Sequence, residues 1–219
     1  MLSFPMPEHI AEEIPGVQEA LNDLKTIRRD GFSAYDNPYY TDWCHALQVR
    51  WDYVHTYLPE LVKGGKTVVD VGVGPGFFMH ICGLLNNQCF GDEADLNYIN
   101  TLKYKKVINL LKLSVTFRNF NDYLFSEVPY PLTDNSVDIF NFQASLDGIL
   151  FGSYSKKPSA VDALDRTLAL VHRVLKPKGL LMIWHNETGI DLITEHMHQT
   201  RLFEFVIDRR KLTKMRKLR

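Results

Sequence analysis

A glycine-rich turn between an apolar run and a helix-like segment constrains this chain more than any other feature. The stretch reads Thr67-Val68-Val69-Asp70-Val71-Gly72-Val73-Gly74-Pro75-Gly76-Phe77. The β-branched run before Gly72 is a strand pattern bounded by turn residues. Three alternating glycines let the chain turn sharply and let a ligand approach backbone amides with no Cβ in the way. A helix starting near Pro75 presents free N–H groups and its positive dipole end at the same place.

The surrounding pattern fixes the layers. Strand-like runs cover 66–71, 88–91, 114–118, 137–142 and 180–185, and helical patterns lie between them. The clearest helix covers 159–175, with Ser159 as its cap and Val161, Leu164, Leu168, Val171 and Leu175 on one face. Such alternation predicts βαβ units, right-handed crossovers and an α/β fold with a doubly wound, mostly parallel sheet. Ligands of such sheets bind at the carboxyl ends of the strands. Upstream, residues 8–28 read as helix broken at Pro15-Gly16, and 41–61 as a stronger helix ended by Gly64-Gly65. The 219 residues suit a single domain. Within it, 1–62 form a helical N-terminal cap and 63–186 a ligand-binding core, and 187–219 supply a helix, a strand and a basic tail.

The turn discriminates between ligands. A dinucleotide fingerprint needs Gly-x-Gly-x-x-Gly. Counted from Gly72 its third glycine falls on Phe77, and counted from Gly74 on Met79. Asp70, two residues before the first glycine, repels a pyrophosphate but suits an ammonium group. No Lys-Ser or Lys-Thr follows to make a phosphate loop. An amino-acid-bearing nucleoside fits best.

Charge is uneven along the chain. From Arg201 onward eight basic residues face two acidic ones, a balance of +6, while the other 17 basic and 24 acidic residues give −7. The tail is either a solvated terminal strand or a contact for an anionic partner. Cys44, Cys82 and Cys89 match no zinc spacing and read as reduced thiols. The start lacks a basic region and carries Pro5 and Pro7, unlike a secretory signal. The purest apolar run, Leu180–Trp184, is too short for a membrane span. A soluble cytoplasmic protein is expected, with no metal.

Several motifs now stand in order, and together they resemble the class I S-adenosylmethionine-dependent methyltransferases, most closely the small-molecule group called methyltransferase type 11. The resemblance covers about 66–185. It implies S-adenosylmethionine as cofactor, S-adenosylhomocysteine as product and a Rossmann-like fold. By resemblance, Asp70 and the backbone around Gly72 and Gly74 hold the methionine end, and Gly76 belongs to the same cofactor-binding motif. Phe90-Gly91-Asp92-Glu93 supplies the acid for the ribose hydroxyls; Glu93 is favoured by its spacing from Gly91, with Asp92 as the alternative. Asp122, in Asn119-Phe120-Asn121-Asp122-Tyr123, matches the acid that reads the adenine amino group with a neighbouring amide. The segment from Leu132 to Phe140 delivers Asn141, Phe142 and Gln143 to the cofactor edge. Arg173-Val174-Leu175-Lys176-Pro177-Lys178-Gly179 matches a structural turn.

Methyl transfer from a sulfonium is a direct displacement, so alignment and water exclusion matter most. No catalytic residue is assigned. The fourth strand ends Asn141-Phe142-Gln143-Ala144, without the Asn-Pro-Pro-Tyr or Asp-Pro-Pro-Tyr tetrapeptide of the adenine-N6 and glutamine methylating branches. A small-molecule acceptor is favoured, met by the aromatic segment Tyr35, Tyr39, Tyr40 and Trp43 and by the loop 147–158. That aromatic segment either lids the acceptor or packs over the sheet. His45, His55 and His185 are candidate bases, of which only His185 lies at an expected strand end. RNA methylation through the basic tail and a non-catalytic cofactor-binding subunit are the alternatives. The family's sheet ends in an antiparallel pair, whereas only 201–207 reads as a strand here. Either 212–218 adds a short polar second strand, or the sheet is truncated and its edge needs charge or a dimer partner.

Overall fold

The computed structural model describes residues 3–29, 32–33, 38–93, 98–152, 159–184, 190–209 and 212–218. The chain opens with helices α1 (Glu8–Ala11) and α2 (Val17–Leu24), then the short strands β1 (Arg28–Arg29) and β2 (Phe32–Ser33). Helices α3 (Pro38–Thr41) and α4 (Trp43–Tyr57) lead to β3 (Thr67–Val71), α5 (Phe77–Leu84) and β4 (Gln88–Glu93). There follow α6 (Tyr98–Leu110), β5 (Val115–Phe117), α7 (Phe120–Phe125), β6 (Val137–Gln143), α8 (Leu146–Phe151) and α9 (Ala160–Val174). The last elements are β7 (Leu175–Trp184), α10 (Ile190–Gln199), β8 (Phe203–Arg209) and β9 (Leu212–Lys217). Strands β3 to β9 form one seven-stranded sheet in the order β5-β4-β3-β6-β7-β9-β8. The β3–β6 and β6–β7 pairs are parallel; β9 runs antiparallel to both β7 and β8. The expected doubly wound sheet is present.

Local sequence explains where several elements end. Asp42 caps α4 by accepting the His45 N–H at 2.8 Å. The helix stops at Tyr57 rather than at 61, because Leu58 precedes Pro59 and leaves helical geometry (φ −130°, ψ 51°). One 3₁₀ turn, Pro59–Leu61, follows. Ser159 caps α9 as expected, accepting the Asp162 N–H at 3.0 Å. The buried face of that helix is Leu164, Thr167, Leu168, Val171 and Val174, and Val161 is 40% exposed. Strand β7 starts five residues before the expected 180. Val137 pairs with Leu175 and Ile139 with Leu180, so Lys176–Gly179 bulge out of the ladder around Lys178 at φ +65°.

The chain forms two compact units: Met1–Lys66, Val73–Gly91 and Asp95–Phe117 in the first, Thr67–Gly72, Asp92–Ala94 and Arg118–Arg219 in the second. In the first, Trp43 anchors the N-terminal helices. Its backbone N–H donates to Gln18 Oε1, its indole N–H to Ala11 O, and its ring lies 5.8 Å from Phe77 and 5.5 Å from His80. Lys106 on α6 pairs with Asp23 on α2 at 2.9 Å, an exposed contact worth little by itself. In the second, β6 presents Phe140 and Phe142 to Phe120, and Tyr130 joins Phe120 and Phe140.

At the carboxyl end the first of the two expected alternatives is seen: β9 is a short polar second strand, paired antiparallel with β8 and with β7. Its polar second strand buries Lys214 and Lys217. The Lys217 ammonium donates to Asn135 Oδ1 at 2.9 Å and Leu175 O at 2.7 Å, so its charge is met while its methylenes are buried. Arg216 pairs with Glu204. This basic end is woven into the sheet through β9.

Candidate functional site

Asp70 stands one residue before the end of β3, and its register partner on β6 is Asn141. Residues directly paired across a ladder project to the same face. The Asn141 amide accordingly donates to Asp70 Oδ1 at 2.7 Å, with both side chains at most 2% exposed. A neutral donor at that distance orients the carboxylate without neutralising it. Asn141, expected at the cofactor edge, is thus the residue that holds Asp70.

Phe142 is a correction. Consecutive strand residues point to opposite faces, so Asn141 and Phe142 cannot both accompany Asp70. The Phe142 ring is fully buried, 5.8 Å from Phe120 and edge-on to it. It packs in the aromatic core.

Gly72 carries a demand of its own. At φ +78° it sits where L side chains are strained, and a Cβ there would lie 2.3 Å from Ser145 Cβ. Ser145, just past β6, donates its hydroxyl to Val71 O, and the preceding Ala144 holds φ +57°. The Gly72 N–H donates to Asp92 O at 2.8 Å. That amide is thus committed to the end of β4.

Further along the same turn, Gly74 and Gly76 belong to the first unit. Gly74 has φ +54° and open space where a Cβ would stand. Gly76 (φ +87°) opens α5 and is pressed from behind, since a Cβ would meet Leu113 Cδ1 at 2.4 Å. Gly91 has the same tight packing, against Val73 and Met79.

Both acids at the end of β4 are buried, on opposite faces of the strand. Asp92 Oδ2 accepts the Tyr130 hydroxyl at 2.7 Å. Burial pushes the Asp92 carboxyl up to about 6, against the opposing hydrogen bonds of Tyr130 and Tyr123. Tyr130 in turn is driven well above the usual phenol range by burial and then by the Asp92 charge. Glu93 accepts the Arg118 N–H through its main chain at 2.9 Å.

Asn119 caps α7 by accepting the Asn121 N–H at 3.0 Å. Asp122 is half-buried in the first turn. Its neighbour Asn121 is 2% exposed and donates to Ile149 O at 3.2 Å, while its Oδ1 has no hydrogen-bond partner. A buried acceptor left so is costly and marks a place for a donor. Asn121 was legible only as the amide beside Asp122. Asp147, placed by sequence at the start of a loop, is buried in α8.

The expected acceptor residues are only partly in view. Tyr35 and His185 lie outside the described residues, as does the Tyr39 side chain, although its backbone belongs to α3. Tyr40 is half-buried with the Arg50 guanidinium 5.9 Å from its ring centre, and Arg50 itself is buried on α4. Trp43 packs against Phe77 and His80. His45 is exposed, and the His55 ring centre lies 4.2 Å from that of Trp51, tilted by 42°. Among the described residues no three His, Cys, Asp or Glu side chains gather to hold a metal, and no helix is long and apolar enough to cross a membrane.

No family model and no curated protein matches the sequence. Solved structures do. A candidate O-methyltransferase from Klebsiella pneumoniae aligns over 97% of this chain and 94% of its own, with a TM-score of 0.55 at 11% identity. The fold is that of the class I methyltransferases. Two lower-scoring likenesses are protein PH0226 from Pyrococcus horikoshii OT3 (15% identity, 84% and 82% covered, TM-score 0.49) and a SAM-dependent methyltransferase from Aquifex aeolicus (19%, 74% and 87%, 0.44). In a methyltransferase fold the ends of β3, β4 and β6 are the ligand-facing ends of the sheet. Asp70, Gly72, Asp92, Glu93 and Asn141 all stand there.

Proposed function

We propose that this chain binds S-adenosylmethionine and transfers its methyl group to a small-molecule acceptor. The observation that carries the reading is the Asp70–Asn141 pair. A buried carboxylate is expensive unless something requires it, and here a matched amide orients it near the strand end. The residues present fit the cofactor in one further respect: the buried Asn121 Oδ1 needs a donor.

When bound, S-adenosylmethionine supplies a methyl group already activated on a sulfonium. Asp70 receives the ammonium of the methionine end. Glu93, on the face of β4 away from Tyr130, accepts the ribose hydroxyls. Asn121 Oδ1 and Asp122 meet the exocyclic amine of adenine. Tyr40, half-buried on α3, is an aromatic side chain suited to an acceptor, whose alignment and shielding from water matter most for the displacement. The family resemblance supports these roles.

Calorimetric titration with S-adenosylhomocysteine tests the reading. The intact chain is expected to bind, and Asp70→Ala and Glu93→Ala each to weaken binding at least tenfold. Absence of binding by the intact chain, or unchanged binding in both variants, removes the cofactor and with it the methyltransferase.

A further inference from the structure

We infer that Asp92 and Tyr130 form a positioning pair that sets cofactor affinity by holding the end of β4 against the glycine turn. This rests on the cofactor reading above. Asp92 makes two contacts with different atoms. Its carbonyl oxygen takes the Gly72 N–H at 2.8 Å, and its carboxylate takes the Tyr130 hydroxyl at 2.7 Å. The first fixes where the glycine turn leaves β3. The second clamps the acid end of β4 to the aromatic cluster of Phe120, Phe140 and Tyr123, whose rings surround Tyr130 at 4.9 to 6.2 Å. A shift of Asp92 therefore moves Gly72 and, through the chain, its neighbour Glu93.

The clamp has a protonation state. A phenol donating to a carboxylate makes a charge-assisted bond roughly twice as strong as its neutral counterpart. Protonating Asp92 removes that assistance and relaxes the clamp. Among the described residues, Tyr130 and Tyr123 hydrogen-bond to the carboxyl, and the charges of Asp122 and Arg118 act on Tyr123. Tyr130 lies beyond α7, and Tyr123 and Asp122 lie on α7. Arg118 follows β5, its guanidinium 5.8 Å from the centre of the Tyr123 ring. Glu93 adjoins on β4 but points to the opposite face. Burial holds the carboxyl at about 6, so the relaxation falls in an accessible range of pH.

S-adenosylhomocysteine titrated calorimetrically from pH 5 to 8 reads the effect, with the Asp92 carboxyl carbon followed by NMR over the same range. The wild-type chain is expected to lose affinity several-fold as pH falls from 7.5 to 5, with a midpoint near 6 matching the carboxyl titration. Asp92→Asn keeps an acceptor for Tyr130 and is expected to flatten that profile. Tyr130→Phe removes a hydrogen bond that favours the carboxylate, so it is expected to weaken binding at pH 7.5 and move the midpoint above 6. A purely structural role would lower affinity in both variants without moving any midpoint. The inference is overturned by an identical pH profile in the wild type and Asp92→Asn, or by a carboxyl that titrates near 4. Should Asp92→Asn not fold, an unmoved midpoint in Tyr130→Phe overturns it equally. Absence of binding at every pH instead removes the cofactor reading, a different and distinguishable failure.

Discussion

Asp70 and Asp92 are two buried carboxylates at the ends of β3 and β4, and they are held in opposite ways. Asp70 is held by its own register partner, Asn141, so the ladder that builds the sheet also builds the pair. Asp92 is held from 38 residues away by Tyr130, in the connection between α7 and β6. The first pair is fixed as soon as β3 and β6 align. The second depends on the packing of a loop and an aromatic cluster. A strand-end acid locked by the sheet suits a fixed ligand contact, whereas one locked by a loop suits adjustment.

Gly72 joins the two, and its replacement breaks both at once. In Gly72→Ala the new Cβ lands 2.3 Å from Ser145 Cβ, where no flexible tip can yield, at a φ of +78°. The left-handed conformation alone costs about 1–2 kcal/mol. With the clash added, a loss of about 3 kcal/mol or more is expected in urea denaturation, along with loss of S-adenosylhomocysteine binding. Near-wild-type stability would mean that the turn is not seated on Ser145.

A smaller effect of unusual sign separates the two acids. Asp92 binds its proton more tightly folded, at about 6, than unfolded, at 3.8. Its contribution to stability is therefore greatest below pH 3.8, declines between 3.8 and 6, and is lowest and flat above 6. The decline across that window is about 3 kcal/mol at most. Asp92→Asn removes the ionisation while keeping an acceptor for Tyr130, so it is expected to stabilise the chain by about 1–3 kcal/mol at pH 8 and by little at pH 4. Thermal melts at the two pH values check this. Equal effects at both would show that Asp92 ionises freely.

Much of this arrangement was legible in the sequence, because it follows from short-range rules. The spacing of Asp70 from Gly72 and of Glu93 from Gly91 placed both acids at strand ends. The cap at Ser159 and the alternation of runs gave the helices and the parallel sheet. What escaped depends on contacts distant in sequence. The strand Leu212–Lys217 stays one of two alternatives in the sequence, because Lys214 and Lys217 break the apolar pattern of a buried strand, and the acceptors Asn135 Oδ1 and Leu175 O that make Lys217 tolerable there are distant along the chain. The extra residues of β7 hide behind Pro177 and Gly179, which bulge out of the ladder without ending the strand. The commitment of the Gly72 amide to Asp92 O could not be read from glycine spacing, which says that a turn is open but not which atom closes on it.

The smallest effect concerns Phe142, the neighbour of Asn141 on the face of Tyr130 rather than of Asp70. Strand alternation makes this pair of residues an internal control for the comparison. Phe142→Leu retains an apolar group but removes the edge-on contact with Phe120 at 5.8 Å and part of the ring's buried surface. Aromatic contacts of this kind contribute about 0.5–1.5 kcal/mol beyond their area. A loss of about 1–2 kcal/mol in stability is therefore expected, with affinity for S-adenosylhomocysteine within about twofold of wild type at pH 7.5, where the Asp92 carboxylate is ionised. Stability by urea denaturation and affinity by calorimetry on the same preparation check it. A tenfold loss of affinity would place the ring against the cofactor and would mean that β6 turns the opposite face toward it, moving Asn141 and Asp70 away from the ligand together.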